Sequence, residues 1–186
     1  MKDKAFKACL QVIEKEGWKN FTFAKAAQDS GIPLSLFHAQ FSSPSDVMLS
    51  LFNKIDEDVL KNRDQFLEKQ SPKDALFEIL MARFDAALPY KTILQSFWHE
   101  WIFSPSEAPS LLCHGFSSMS WMLETAGLNT RGLAGFLRIQ GLTVLYALTL
   151  RVWLKDDSPD LGKTMVSLDK GLTQLERGAP FLKGLG

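Results

Sequence analysis

Apolar residues fall at helical spacing along almost the whole chain, and the polar residues between them supply starts and stops. Phe6, Cys9, Leu10 and Ile13 share one face of an amphipathic helix, and Gly17 can end it in the left-handed conformation. Thr22 can cap a short second helix, FAKAAQDS, that Gly31 closes. The next helix is then only a few residues away, as in a helix-turn-helix. Pro33 suits the first position of a third helix, LSLFHAQF, because an N–H there has no partner within the helix. The run SSPSD restarts the chain, with Ser43 as cap, Pro44 in the first turn and Asp46 completing a capping box. A long fourth helix is expected from there to about residue 67.

The pattern breaks at EKQSPKD, where Ser71, Pro72 and Asp74 repeat the cap. Beyond it the spacing predicts helices over 72–88, 90–103, 109–126, 130–155 and 159–177, the first three stopped by Pro89, SPSEAP and Gly127. No segment reads convincingly as a strand, so an all-α protein of about nine helices is predicted. It divides into a helix-turn-helix unit over 1–54, whose fourth helix continues to about 67, and a larger helical domain over 71–180. Residues 132–154 are apolar on nearly every face, and Met165, Leu168, Leu172 and Leu175 give the next helix an apolar stripe. Together with Trp153 these predict a homodimer in which two helices from each copy form a bundle.

Charge adds a constraint only locally. The chain has 186 residues, and 21 basic side chains balance 21 acidic ones, so no net charge draws it toward nucleic acid or anionic lipid. Cys9 and Cys113 lack the spacing of a zinc site and read as reduced core residues. The N-terminal MKDKAFKACLQVIEKEGW lacks the apolar core and cleavage site of a signal peptide, which points to the cytoplasm. The most apolar run, IQGLTVLYALTL, is 12 residues long. A membrane span needs about 20, so a buried helix and no stable membrane insertion are expected.

Trp18, Thr22, Ala26, Ala27, Gly31, Ile32, Phe37, Phe41, Ser43 and Asp46 stand in an order that resembles the DNA-binding unit of the TetR family of bacterial regulators. The resemblance covers roughly the first 60 residues. Further on, Trp153, Asp157, Ser158, Pro159, Asp160, Thr164, Leu168 and Asp169 resemble the ubiquinone-biosynthesis lipid-binding proteins, the coenzyme Q accessory factors built on the same scaffold. What this implies is a TetR-like homodimer whose third helix enters the major groove of an operator and whose C-terminal helices hold a ligand pocket. Thr22, Lys25, Ser35, His38, Gln40, Ser43 and Lys54 are then the candidate DNA contacts. Family members commonly carry lysine at the positions of Leu34 and Pro44 and tyrosine at that of His38. Here no Lys or Arg occurs from Ala26 to Asn53, and residues 1–54 hold seven lysines against five acids.

Aromatic residues mark a second candidate site. Phe97, Trp98, Trp101, Phe116, Trp121 and Tyr146 supply large flat surfaces that suit an apolar or aromatic small molecule, whether effector or lipid. Catalysis finds no comparable support. His99 and Glu100 are adjacent, as are Cys113 and His114, so neither pair has the spacing of a zinc ligand set or a nucleophile pair, and no catalytic residue, cofactor or metal is expected. The acidic run KDDSPD reads as the end of one helix and the cap of the next.

Two function classes follow. The first is a TetR-type ligand-responsive regulator, in which an effector shifts operator affinity. The second is a lipid- or isoprenoid-binding accessory protein of ubiquinone biosynthesis that keeps the scaffold without binding DNA. The tail RGAPFLKGLG is short for the amphipathic membrane helix expected of such lipid binders.

Overall fold

Thr22, Gly31, Ser71 and Gly127 set helix ends where the sequence placed them, whereas the third helix closes at His38, short of Phe41, with Pro33 just outside it. In the computed structural model, which describes residues 2–61, 71–101 and 108–178, the helices are α1 (Lys2–Glu16), α2 (Phe23–Ser30), α3 (Leu34–His38), α4 (Pro44–Leu60), α5 (Pro72–Ala87), α6 (Lys91–Trp101), α7 (Ala108–Thr125), α8 (Gly132–Trp153) and α9 (Gly162–Gly178). Short 3-10 turns cover Trp18–Asn20 and Leu88–Tyr90, and the described residues contain no strand. The fold is all-α, as the periodicity predicted. The expected continuation of α4 to residue 67 lies outside the described residues.

Ser71 accepts from the Asp74 amide at 3.2 Å and donates to its carboxylate at 2.7 Å, which fixes the start of α5. Gly127, at φ 76, ends α7 in the left-handed region, and the Leu128 amide reaches back to the Leu123 carbonyl at 2.9 Å.

The chain forms two compact units, residues 1–54 with 89–111 and residues 55–88 with 112–186. In the first, α6 packs with α1: the Trp18 amide donates to Ser96 Oγ at 2.7 Å, and the Trp18 ring meets Phe97 edge-on at 5.0 Å. Phe97 also contacts Phe52. In the second, Leu76, Ile79 and Leu80 of α5, Met119, Met122 and Leu123 of α7, Leu142 and Leu145 of α8, and Leu168 and Leu172 of α9 build one apolar core. Gly171 lets α9 approach α8, since a Cβ there would lie 2.0 Å from Leu145 Cδ1.

Candidate functional site

In the helix-turn-helix segment the turn is formed by the residues the sequence singled out. Thr22 Oγ1 accepts from the Lys25 amide at 3.2 Å, and Gly31 takes φ 69, a left-handed geometry that favours glycine. Phe37 and Phe41 are buried, and Phe23 stacks on Phe41 at 5.8 Å, so the inward face of α3 is used up by packing. Asp46 accepts from the Ser42 and Ser43 amides at 2.7 and 3.0 Å, which joins the end of this segment to α4.

The outward face of α3 is short and uncharged. Leu34 is 50% exposed and Leu36 39%, beside exposed Ser35 and His38. Gln40 and Ser43 are half-buried. Lys25 is ion-paired with Glu16, and Lys54 is half-buried on α4. The candidate DNA contacts thus include neutral hydrogen-bonding groups but no cation on α3 itself. Since affinity for a duplex comes chiefly from cations near phosphates, the outer face of α3 offers a duplex little attraction.

The second unit has an open cleft of about 500 Å³ between α7 and α8. Phe116, Trp121, Phe136 and Ile139 line it with apolar surface, and Ser117, Ser120, Glu124 and Gln140 supply polar groups. The cleft is bounded by the turn after α7, where Thr130 Oγ1 donates to Glu124 Oε1 at 2.7 Å. Gly135 belongs to the same construction: a Cβ there would sit 2.1 Å from the Thr130 carbonyl carbon, so only glycine lets α8 start against this turn.

Of the six aromatic residues expected to line one pocket, the structure brings only Phe116 and Trp121 to this cleft, joined by Phe136. Phe97 is buried against Trp18 and Phe52. Trp98 is half-buried on the same helix, and the Trp101 side chain lies outside the described residues. Tyr146 stacks on Phe84 at 5.0 Å and takes the Arg83 guanidinium over its ring at 4.5 Å. Phe97 and Tyr146 pack the protein's own interior, because each has a ring or cation partner on another helix.

The dimer-interface expectation needs a similar correction. Trp153, Leu168 and Leu172 are fully buried within one chain, so they have no surface to offer a second copy, and Leu175 packs against the same core. Met165 is exposed, with Val166 beside it. On α8 the side chains facing outward are Leu133, Leu137, Val144 and Leu148, each at least half exposed. The whole of α8 is 22 residues with a mean hydropathy of 1.5 over its most apolar part, long and apolar enough by composition to cross a membrane. Within a single chain this outer stripe stays exposed, so burial of α8 on all sides requires a second body.

Two polar arrangements take their detail from the structure. Asp56 on α4 accepts from Arg83 Nε at 2.7 Å with both side chains nearly sealed from water. His114 is half-buried nearby. Burial pulls its imidazole below the ordinary range, Asp56 opposing that shift and Arg83 reinforcing it. The other is Asp156, the first aspartate of KDDSPD. Its carboxylate accepts from the Thr164 amide and hydroxyl at 2.8 and 2.7 Å, and from the Ser158 amide and hydroxyl. Burial raises its pKa, but the Ser158 and Thr164 hydrogen bonds outweigh that and hold it well below the usual carboxylate range. The run is a helix cap, as its composition suggested, centred on Asp156. Cys9 is a buried thiol pushed up to about 12 by desolvation, whereas Cys113, expected in the core, is exposed on α7. Among the described residues no cluster of His, Cys, Asp and Glu could hold a metal.

No family model matches the chain. Among curated proteins it is similar to the mitochondrial ubiquinone biosynthesis protein COQ9 of Drosophila melanogaster, 25% identical over an alignment of 170 residues that covers 87% of this chain. The match takes in 51% of that relative, so the chain spans about half its length. Among solved structures, a TetR transcriptional regulator from Nitrosomonas europaea superimposes with a TM-score of 0.78 at 16% identity, over 95% of this chain and 98% of that one. The transcriptional regulator FadR from Bacillus subtilis, in complex with stearoyl-CoA, gives a TM-score of 0.63 at 15% identity, over 96% and 100% of the two chains. The scaffold is TetR-like, and both resemblances read from the sequence recur in these similarities.

Proposed function

We propose that this chain is an apolar-ligand-binding accessory protein of the ubiquinone-biosynthesis type, a non-enzymatic carrier of a lipid or isoprenoid on a TetR-like scaffold. The observation that carries this reading is the α7–α8 cleft, where Phe116, Trp121 and Phe136 expose aromatic surface around a space of small-molecule size. Similarity to COQ9 supports it, as does the stearoyl-CoA held by one fold relative. The uncharged outer face of α3 supports it from the other side. In this reading the protein works in the cytoplasm as a homodimer, joined through the outer stripe of α8 with Met165 and Val166.

A second reading, the ligand-responsive regulator, rests on one specific observation. Gly31 and Thr22 still build an intact turn, with Ser35, His38 and Gln40 available for base edges or phosphates. The two readings separate in a selection over random duplexes at low salt. The accessory protein enriches no motif; the regulator enriches one, and loses it when Ser35, His38 and Gln40 are changed to alanine.

A further inference from the structure

The cleft between α7 and α8 contains a charge whose placement bears on what can enter. Among the described residues Glu124, itself exposed, is the only ionisable one that lines it, and no lysine, arginine or histidine does. The carboxylate lies in the last turn of α7, where the helix dipole disfavours negative charge. Its hydrogen bond comes from the neutral Thr130 hydroxyl, and no cation among the described residues forms an ion pair with it. The other polar lining groups, Ser117, Ser120 and Gln140, carry both donors and acceptors and suit a neutral hydroxyl or carbonyl.

We infer that Glu124 is a charge filter, and that the cleft selects an uncharged amphiphile, with an apolar chain and a hydroxyl or carbonyl head, over a fatty acid or any other anionic lipid. This rests on the reading of the cleft as an apolar-ligand site and adds its head-group specificity. An anionic head entering the cleft meets like charge and gives up water with no cation to replace it. A neutral head loses less hydration and finds partners. The aromatic walls act on the chain alone and treat both molecules equally.

The test uses ω-bromoundecanol and ω-bromoundecanoate, whose chains match and whose bromine quenches a neighbouring indole. The full chain is titrated at pH 8, where the acid is ionised, and quenching is followed in the wild type and in Trp121→Phe and Glu124→Gln. The expected result is quenching by the alcohol that Trp121→Phe largely removes, with the alcohol bound roughly three- to fivefold more tightly than the acid, as a like-charge contact with an exposed carboxylate implies. Glu124→Gln keeps an acceptor for Thr130 and should bring the ratio close to one. Equal affinities in the wild type, or a ratio unchanged by Glu124→Gln, would overturn the filter while leaving the apolar site standing. No Trp121 quenching by either molecule would instead overturn the apolar site, and the filter with it.

Discussion

In the helix-turn-helix segment the aromatic side chains turn inward. Phe37 has no exposed surface and Phe23 lies flat against Phe41, whereas on α7 and α8 Trp121 and Phe136 keep 55% and 54% of their surface in solvent. The first region packs its aromatics and presents uncharged groups outside, Leu34 and Leu36 among them. The second has a finished core beneath an apolar exterior. In the proposed reading that exposed aromatic surface is where an apolar guest binds. The lesson is that shape and chemistry separate: the helix-turn-helix keeps its turn without cations on α3, while the large exposed aromatics lie on α7 and α8.

The contrast breaks most strongly at matched aromatic truncations. Phe37→Ala should destabilise the protein by about 3–5 kcal/mol, the range for a buried phenylalanine, measured by denaturant unfolding. Trp121→Ala should stay within about 0.5 kcal/mol of wild type while abolishing chain binding in the cleft. Equal losses at both sites would mean that the α7–α8 aromatics are structural.

Nearly as large is the effect expected inside the second unit. Asp56→Ala leaves Arg83 buried without its partner and should destabilise by about 3–5 kcal/mol. Replacing both by apolar residues of similar volume should recover most of the loss. Recovery by the double replacement with cleft binding intact would show that the ion pair supports the core alone.

Asp156 should give a smaller, pH-dependent effect. Its folded-state pKa lies below the ordinary value of about 3.9, so it stabilises above that pH and the contribution fades as pH falls through the acid range. Asp156→Asn should destabilise by about 2 kcal/mol at neutral pH and flatten the dependence of stability on pH below about 4.

The smallest effect on stability comes from restoring a charge to α3. Leu34→Lys replaces a half-exposed side chain, so unfolding should change by less than about 0.5 kcal/mol. Nonspecific duplex affinity should rise, and the slope of log affinity against log salt should steepen by about 0.9 for each phosphate newly contacted. An unchanged slope would mean that α3 does not approach the backbone at all.

Most of the helix string was legible because spacing, caps and stops are local properties. Gly31, Ser71 and Gly127 act where the sequence put them. Direction was not legible: at helical spacing an aromatic residue facing in and one facing out look alike, so Phe97, Tyr146 and Trp121 entered one imagined pocket and separated in the structure. Leu168 and Leu172 form a regular stripe, but periodicity does not say whether the matching surface belongs to the same chain. The Asp56–Arg83 pair joins residues 27 apart, beyond any local pattern. Choosing between adjacent Asp156 and Asp157 needed the turn that carries Ser158 and Thr164 back to one carboxylate.

The most direct test is native mass spectrometry of the protein purified from cells, followed by solvent extraction. A chain whose exposed aromatic cleft carries an apolar guest should give an added mass that extraction identifies as an uncharged amphiphile, and Trp121→Arg should remove it without unfolding the protein. A bare polypeptide mass in the wild type, or a guest that Trp121→Arg retains, would contradict the account.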